Sequence, residues 1–287
     1  MRAWGLPASN LSPNGRSSHR KEAGSALSYP RKLQERRGLA FGFCVALVEP
    51  LLRLITRQRW IDGMKIPARG GCVVASNHVS HIDPFTFAHF LYGHGRLVRF
   101  LAKAEVFDIP VLGRLIRATG QIPVYRLTTD AQKAFNAAVE AVQDGKCVVV
   151  YPEGTITREP DLWPMTGKTG AARIALTAGV DVIPVAQWGP QDVLAPYAKK
   201  PRLFPRKTIT VKAGDPVDLD DLRGQKLTPD VLRRATDRIL DAITKELEDI
   251  RGEKAPAERF DPRRRGVREI GNPNDPAKRR SRRNGER

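Results

Sequence analysis

Short apolar runs alternate with longer amphipathic segments along most of the chain from about residue 70 onward. Six runs are rich in valine, isoleucine and aromatic residues and have the length of strands: 70–76, 96–102, 120–125, 146–152, 180–187 and 208–214. Continuous apolar runs of this kind are typical of strands that are buried on both faces of a parallel sheet. The pattern therefore predicts a buried, largely parallel sheet.

The segments between these runs have helical periodicity and residues that favour helix boundaries. They are 85–92, 109–119, 130–145, 168–179 and 228–250. The last one opens with Thr228 and Pro229, residue types that favour the N-cap and the first helical position. Strands that alternate with helices predict a single α/β domain, with a mostly parallel central sheet flanked by helices.

A nearly apolar segment, GLAFGFCVALVEPLLRLI at 38–55, precedes the alternating region. Glu49 and Pro50 interrupt it, and it is shorter than the roughly 20 apolar residues that a membrane-spanning helix requires. Arginines flank it on both sides and Trp60 follows, which suits a helix in the interface of an anionic membrane. A helix of the protein core is the alternative. We predict a membrane-associating helix at 38–57.

The distribution of charge sets the domain boundaries. The formal net charge is +18, of which residues 1–37 carry +6 (eight Lys and Arg, two Glu) and residues 255–287 carry +6 (eleven Lys and Arg, five acidic residues). Both ends lack apolar periodicity, which predicts disordered basic tails around a folded domain at 38–254. Basic tails can solubilise a protein or contact anionic lipid or nucleic acid.

Polar residues with candidate chemistry follow three of the predicted strands. The sequence SNHVSHID follows the strand at 70–76, PEGT follows the strand at 146–152, and YR ends the strand at 120–125. Parallel sheets collect reactive groups at the carboxyl ends of their strands. We therefore expect these three loops to converge at one edge of the sheet.

The first of these loops admits several interpretations. The spacing of His78, His81 and Asp83 matches neither a binuclear hydrolase nor a zinc protease, so we predict no metal. A nucleophilic Ser80 lacks the GxSxG turn that such a serine requires. Ser80 and Asp83 before a helix also suit a capping box, with Pro84 in the first turn.

A base with an orienting carboxylate is the remaining interpretation. His78 and Asp83 are five residues apart across a strand-to-helix turn, so the carboxylate can reach the Nδ1 atom of the imidazole. A carboxylate in that position fixes the tautomer and leaves Nε2 as a base for a hydroxyl group. This arrangement suits acyl transfer to an alcohol, and a capping Ser80 is compatible with it.

The motifs resemble those of the glycerolipid acyltransferase family, typified by 1-acylglycerol-3-phosphate acyltransferases. NHVSHID matches the family's N-H-x-S-x-x-D motif, which contains the His-x4-Asp pair. GQIPVYR at 120–126 resembles the second block, YPEGT at 151–155 the third, and VIPVAQWG at 182–189 the fourth. All four occur in the family's order and cover roughly residues 60–190.

The resemblance implies a role for each matched residue. His78 would be the general base and Asp83 its orienting partner. Arg126 would bind the phosphate of the acceptor. Glu153, Gly154 and Thr155 would shape the acceptor pocket. The basic positions between the blocks correspond to two lysines, Lys103 and Lys168.

One position departs from the family pattern. The third block usually has arginine after threonine, whereas this chain has Ile156 there and Arg158 two residues later. Arg158 is therefore a further candidate for substrate binding. The departure leaves glycerol 3-phosphate or another lysophospholipid open as the acceptor.

The resemblance implies phospholipid biosynthesis at the cytoplasmic face of the cell membrane. The expected partners are a lysophospholipid acceptor, acyl-CoA or acyl carrier protein as donor, and an anionic membrane surface, with no bound cofactor. No RNA-binding signature with interleaved aromatic residues occurs, so we expect no specific nucleic acid. A basic protein that binds membranes or RNA without catalysis is the alternative from another class.

Overall fold

The computed structural model describes residues 31–124 and 131–268 of the chain. The strands are β1 (Thr56–Ile61), β2 (Cys72–Ser76), β3 (Val98–Lys103), β4 (Ile122–Val124), β5 (Cys147–Val150), β6 (Val182–Trp188) and β7 (Lys207–Ala213). The helices are α1 (Leu39–Ile55), α2 (Asp83–Gly93), α3 (Leu112–Ala118), α4 (Ala131–Gln143), α5 (Gly170–Ala178), α6 (Pro190–Val193) and α7 (Pro229–Arg251).

The strands form one sheet in the order β1-β7-β6-β2-β5-β3-β4. Every neighbouring pair is parallel except β6 and β7, which run antiparallel. Strand β2 lies at the centre, between β5 and β6. The chain leaves β2 toward β3 on one side of the sheet and leaves β6 toward β7 on the other, so the loop after β2 lies where the strand order reverses. Open α/β sheets bind ligands at this kind of position.

The two faces of the sheet are covered by different helices. Alternate residues of β2 explain this, because Val73 packs in a core with α4, α5 and α7, whereas Val74 packs in a second core with α1 and α2. Side chains of a strand point alternately to opposite faces, and here both faces require apolar residues. The predicted α/β domain with a mostly parallel sheet is confirmed.

The N-terminal helix ends earlier than predicted. Helix α1 stops at Ile55, and Thr56 begins β1, an edge strand that the sequence pattern did not predict. Trp60 belongs to this strand and packs edge-on against Phe90 of α2, with 5.9 Å between the ring centroids. The prediction of a helix over 38–57 is therefore wrong at its C-terminal end, because pairing with β7 extends the chain from residue 56 onward.

Parts of both predicted tails contact the folded domain. Arg31 donates to the carbonyl of Ile66 at 2.7 Å. At the other end, the N–H of Thr166 donates to the carbonyl of Phe260 at 2.9 Å. The predicted boundaries at 38 and 254 therefore exclude residues that pack on the domain. The rest of each predicted tail, 1–30 and 269–287, lies outside the described residues.

The boundaries of α7 follow directly from local sequence. Thr228 is its N-cap, and its side chain accepts a hydrogen bond from the N–H of Val231 at 3.3 Å, as the sequence predicts. Gly252 ends the helix with φ of 67°, a backbone conformation that glycine adopts without strain. Within 31–124 and 131–268, none of the helices combines the length and apolar character needed to cross a membrane.

Candidate active site

His78 and Asp83 lie in direct contact in the loop between β2 and α2. Asp83 is the first residue of α2, and its Oδ2 atom lies 2.7 Å from Nδ1 of His78. The same oxygen accepts hydrogen bonds from the N–H groups of Val79 at 2.6 Å and Ser80 at 2.9 Å. The side chain of Asp83 is fully buried, whereas that of His78 keeps 16% exposure. The loop therefore fixes the carboxylate and leaves part of the imidazole accessible.

This contact determines which nitrogen of His78 can react. A carboxylate at Nδ1 favours a proton on that nitrogen and an unprotonated Nε2. The ring of Tyr151 stacks against the imidazole, with 4.3 Å between centroids and 19° between planes. The stacked ring covers one face of the imidazole and restricts its orientation. An imidazole oriented in this way has the geometry that a general base requires.

Ser80 does not cap α2, contrary to the sequence prediction. The N-cap residue is Ile82, whose N–H donates to Oγ of Ser80 at 3.3 Å. The hydroxyl of Ser80 itself donates to the carbonyl of Leu194 at 2.6 Å. Asp83 supplies the negative charge that favours the start of a helix. Ser80 instead connects the His78 loop to the segment after β6 through its hydrogen bond to Leu194.

Glu153 connects the loop after β5 to the His78 loop. Its Oε1 atom accepts from the N–H of His78 at 3.0 Å, and its Oε2 atom accepts from the N–H of Met165 at 3.2 Å. The carbonyl of His78 accepts from the N–H of Thr157 at 2.9 Å. Because both oxygens of Glu153 bind backbone groups, this buried side chain shapes the site through the two loops that it joins.

Burial raises the pKa of Glu153 from its ordinary value of 4.5 to about 8, although its hydrogen bonds to backbone N–H groups oppose the shift. Between these values the folded protein binds this proton more tightly than the unfolded chain. The contribution of Glu153 to the free energy of unfolding should therefore fall as pH rises from about 4.5 to 8, by up to about 1.4 kcal/mol per pH unit.

The variant Glu153→Gln should remove this contribution. Urea unfolding at several pH values between about 5 and 8 measures it as the difference between the two proteins. The wild type should lose stability relative to the variant as the pH rises. Parallel profiles for the two proteins would contradict the shift, because every other titrating group is common to both.

The remaining residues of the third block lie close to the contact between the Glu153 loop and the His78 loop. Gly154 has φ of +71°, and a β-carbon added there would lie 3.5 Å from Cγ of Lys168. Oγ1 of Thr155 lies 3.4 Å from the hydroxyl of Tyr197. The guanidinium of Arg158 lies over the ring of the same tyrosine, 4.5 Å from its centroid. Gly154, Thr155, Lys168 and Arg158 are therefore all close to the Glu153 loop.

Two predicted residues are not joined to this cluster by the described contacts. Lys103 ends β3, two strands away from β2 across β5, and its Nζ atom lies 2.9 Å from Oε1 of Glu105. Arg126 lies outside the described residues. The expected convergence of three loops is therefore observed for the loops after β2 and β5.

Sequence reasoning missed a buried amide pair beneath the His78 loop. Asn77 donates from Nδ2 to the carbonyl of Gln187 at 3.0 Å and accepts from its N–H at 2.8 Å. Nε2 of Gln187 donates back to the carbonyl of Asn77 at 3.3 Å. The pair fixes the end of β2 against β6 immediately before His78. Asn77 occurs in the first motif and Gln187 in the fourth. Their presence in the motifs was the sequence signal that could have identified this pair.

Comparison with known proteins agrees with the motifs. A model of the acyltransferase family matches residues 60–188. The chloroplastic 1-acyl-sn-glycerol-3-phosphate acyltransferase BAT2 of Brassica napus is 33% identical over 124 residues, 43% of this chain and 34% of that protein. The lyso-ornithine lipid O-acyltransferase of Rhodobacter capsulatus is 32% identical over 150 residues, 50% of this chain and 51% of that protein.

A solved structure has the same fold. It is the 1-acyl-sn-glycerophosphate acyltransferase PlsC of Thermotoga maritima, with a TM-score of 0.55 and 22% sequence identity. The match covers 75% of this chain and 83% of that one. In sequence, the chain spans about a third of the Brassica relative and about half of the Rhodobacter relative. The motifs and the matched region 60–188 resemble those of the glycerolipid acyltransferases, and the fold is that of the Thermotoga structure.

Proposed function

We propose that this chain is a 1-acylglycerol-3-phosphate O-acyltransferase of phospholipid biosynthesis. It transfers a fatty acyl group from acyl-CoA or acyl carrier protein to the free hydroxyl of lysophosphatidic acid and produces phosphatidic acid. The observation that carries the proposal is the 2.7 Å contact between Nδ1 of His78 and Oδ2 of Asp83. The donor enters as a substrate, so the proposed reaction uses no bound cofactor.

The chemistry begins with the hydroxyl group of the acceptor. Nε2 of His78 takes its proton while the oxygen attacks the carbonyl carbon of the thioester. Asp83 stabilises the imidazolium that results. The carbon–sulfur bond then breaks, an ester remains on the acceptor, and the proton on Nε2 passes to the departing sulfur. The free thiol is the second product, and His78 returns to its initial state.

The acceptor phosphate requires positive groups near this base. We assign that role to Arg126, with support from Lys168 and Arg158, because guanidinium and ammonium groups form charge-assisted hydrogen bonds with phosphate. Lys168 lies beside Gly154, and Arg158 lies against Tyr197. Thr155 adds a hydroxyl at the same loop. Lys103, which pairs with Glu105, is a more distant candidate.

An assay of the purified full chain tests the proposal. It compares acyl-CoA and acyl carrier protein as donors, and lysophosphatidic acid, glycerol 3-phosphate and lyso-ornithine lipid as acceptors, with products read by mass spectrometry. We expect phosphatidic acid from lysophosphatidic acid. No acylated product with any pair, together with salt-sensitive RNA binding, would favour the non-enzymatic alternative.

A lyso-ornithine lipid is the second candidate acceptor. A relative with that name is matched over 51% of its length, compared with 34% for BAT2. The position after Thr155 is the buried Ile156, which supplies no charge for a phosphate. A higher kcat/KM for the lyso-ornithine lipid than for lysophosphatidic acid would favour this second candidate.

We further propose that α1 attaches the protein to the cytoplasmic face of the cell membrane. Five apolar side chains recur along one stripe of the helix and are each more than half exposed: Leu39, Phe43, Leu47, Leu51 and Leu54. The opposite face packs into the protein through Phe41 and Leu52. Exposed arginines flank the helix at Arg36, Arg37, Arg57 and Arg59. An apolar stripe with flanking positive charge suits an anionic lipid surface.

Replacement of Phe43, Leu47 and Leu51 by serine tests this attachment. Sedimentation with vesicles of anionic phospholipid should fall at least about tenfold, because each buried apolar side chain contributes roughly 1.5–3 kcal/mol. The double variant Arg57→Glu and Arg59→Glu should weaken binding to anionic vesicles and leave binding to zwitterionic vesicles unchanged. Circular dichroism checks the fold, and unchanged sedimentation of the serine variant would contradict the attachment.

A further inference from the structure

Tyr197 connects the segment after α6 to the loop after β2 and to the loop after β5. Its hydroxyl donates to the carbonyl of Ile156 at 3.2 Å and lies 3.4 Å from Oγ1 of Thr155. Its ring meets the ring of His81 edge-on, with 5.7 Å between centroids. Tyr197 lies beyond the region 60–188 that matches the family, yet it contacts the loops after β2 and β5.

The backbone around Tyr197 is held in an unusual conformation. Its φ is +60°, a value that costs free energy for any residue with a β-carbon. The segment is anchored nearby, because the hydroxyl of Ser80 donates to the carbonyl of Leu194 at 2.6 Å. Neighbouring contacts therefore stabilise a strained tyrosine at the rim of the His78 site, where strain often accompanies function.

The ring of Tyr197 positions a positive charge. The guanidinium carbon of Arg158 lies 4.5 Å from the ring centroid, which is within the range of a cation–π contact. The side chain of Arg158 is half-buried against this ring, which limits the orientations open to its guanidinium. A guanidinium fixed in this way offers planar donors that match phosphate or carboxylate oxygens. Ile156, two residues earlier, is buried and uncharged.

We propose that Tyr197 determines specificity for an anionic acceptor headgroup. Its ring would fix the guanidinium of Arg158, which belongs to the loop that follows Glu153. This inference rests on the proposed function, since it concerns the acceptor of that reaction. Tyr197 acts as a positioning residue, and Arg158 contacts the headgroup. The residues that set headgroup preference then come partly from the connection between β6 and β7, outside the four motifs.

Direct binding tests the inference separately from turnover. Calorimetry on the full chain compares a short-chain lysophosphatidic acid with the matched monoacylglycerol, which lacks only the phosphate. The wild type should prefer the phosphate-bearing ligand. Arg158→Gln and Tyr197→Leu should each reduce that preference about tenfold, since a charge-assisted contact is lost in both. The double variant should lose no more than either single variant, because the two residues act as a unit.

Two further variants make the result specific. Tyr197→Phe keeps the ring and should lose less of the preference than Tyr197→Leu. Arg173→Gln is the matched control, since Arg173 lies over the ring of Phe135 at 4.1 Å on a different surface and should leave the preference unchanged.

Several outcomes would overturn the inference: no phosphate preference in the wild type, an unchanged preference in Arg158→Gln, or an equal loss of affinity for both ligands in Tyr197→Leu. Turnover is measured in parallel on the same proteins. A wild type that binds the phosphate with the expected variant effects but transfers no acyl group would refute the proposed function alone.

Discussion

Replacing His78 by alanine should reduce kcat for acyl transfer by roughly 10²–10⁴-fold, the contribution expected of a positioned general base. The variant lacks the atom that takes the acceptor's proton. Its fold should survive, since the contacts that shape the loop are made by the backbone of His78 and by the carboxylates of Asp83 and Glu153. Single-turnover kinetics and circular dichroism of the purified variant check both statements.

The matched control is His81→Ala, which removes an imidazole from the same loop. His81 is exposed, and its ring meets Tyr197, whereas Asp83 is bonded to His78. The control should retain most of the turnover. A His78→Ala variant with kcat within about tenfold of the wild type would refute the general-base role, since the catalytic gain expected of such a base is larger.

The fold was predictable where each strand is buried on both faces. The run at 70–76 contains β2, and the run at 146–152 contains β5, because neither face of these central strands needs polar side chains. Strand β1, with the sequence TRQRWI, was missed for the opposite reason. It lies at an edge, its arginines are exposed, and only its pairing with β7 makes it a strand.

The site was predictable where its partners are close in sequence. His78 and Asp83 are five residues apart, so a turn alone can bring them together. The amide pair of Asn77 and Gln187 spans 110 residues and depends on β2 and β6 being neighbours in the sheet. Tyr197 was also missed, because its contacts depend on the path of the chain after β6 and no motif includes it.

The second large effect is expected at Asp83, where asparagine and alanine should differ. Oδ2 of Asp83 accepts two backbone N–H groups besides facing Nδ1 of His78. An asparagine should keep its oxygen in that position, since the amide NH₂ would otherwise face N–H donors. The tautomer of His78 would then be preserved while the negative charge is lost. We expect Asp83→Asn to reduce kcat by roughly 10²-fold and Asp83→Ala by more, because alanine also removes the orientation of the base.

Stability separates the two variants further. Alanine leaves the N–H groups of Val79 and Ser80 without their acceptor in a buried loop, and an unmade hydrogen bond of this kind costs about 1–3 kcal/mol. Asparagine preserves both bonds, so its free energy of unfolding should stay closer to that of the wild type. Urea unfolding and kcat for both variants test the argument together. If asparagine reduced kcat as far as alanine while remaining stable, the charge of Asp83, rather than the orientation of His78, would account for its whole effect.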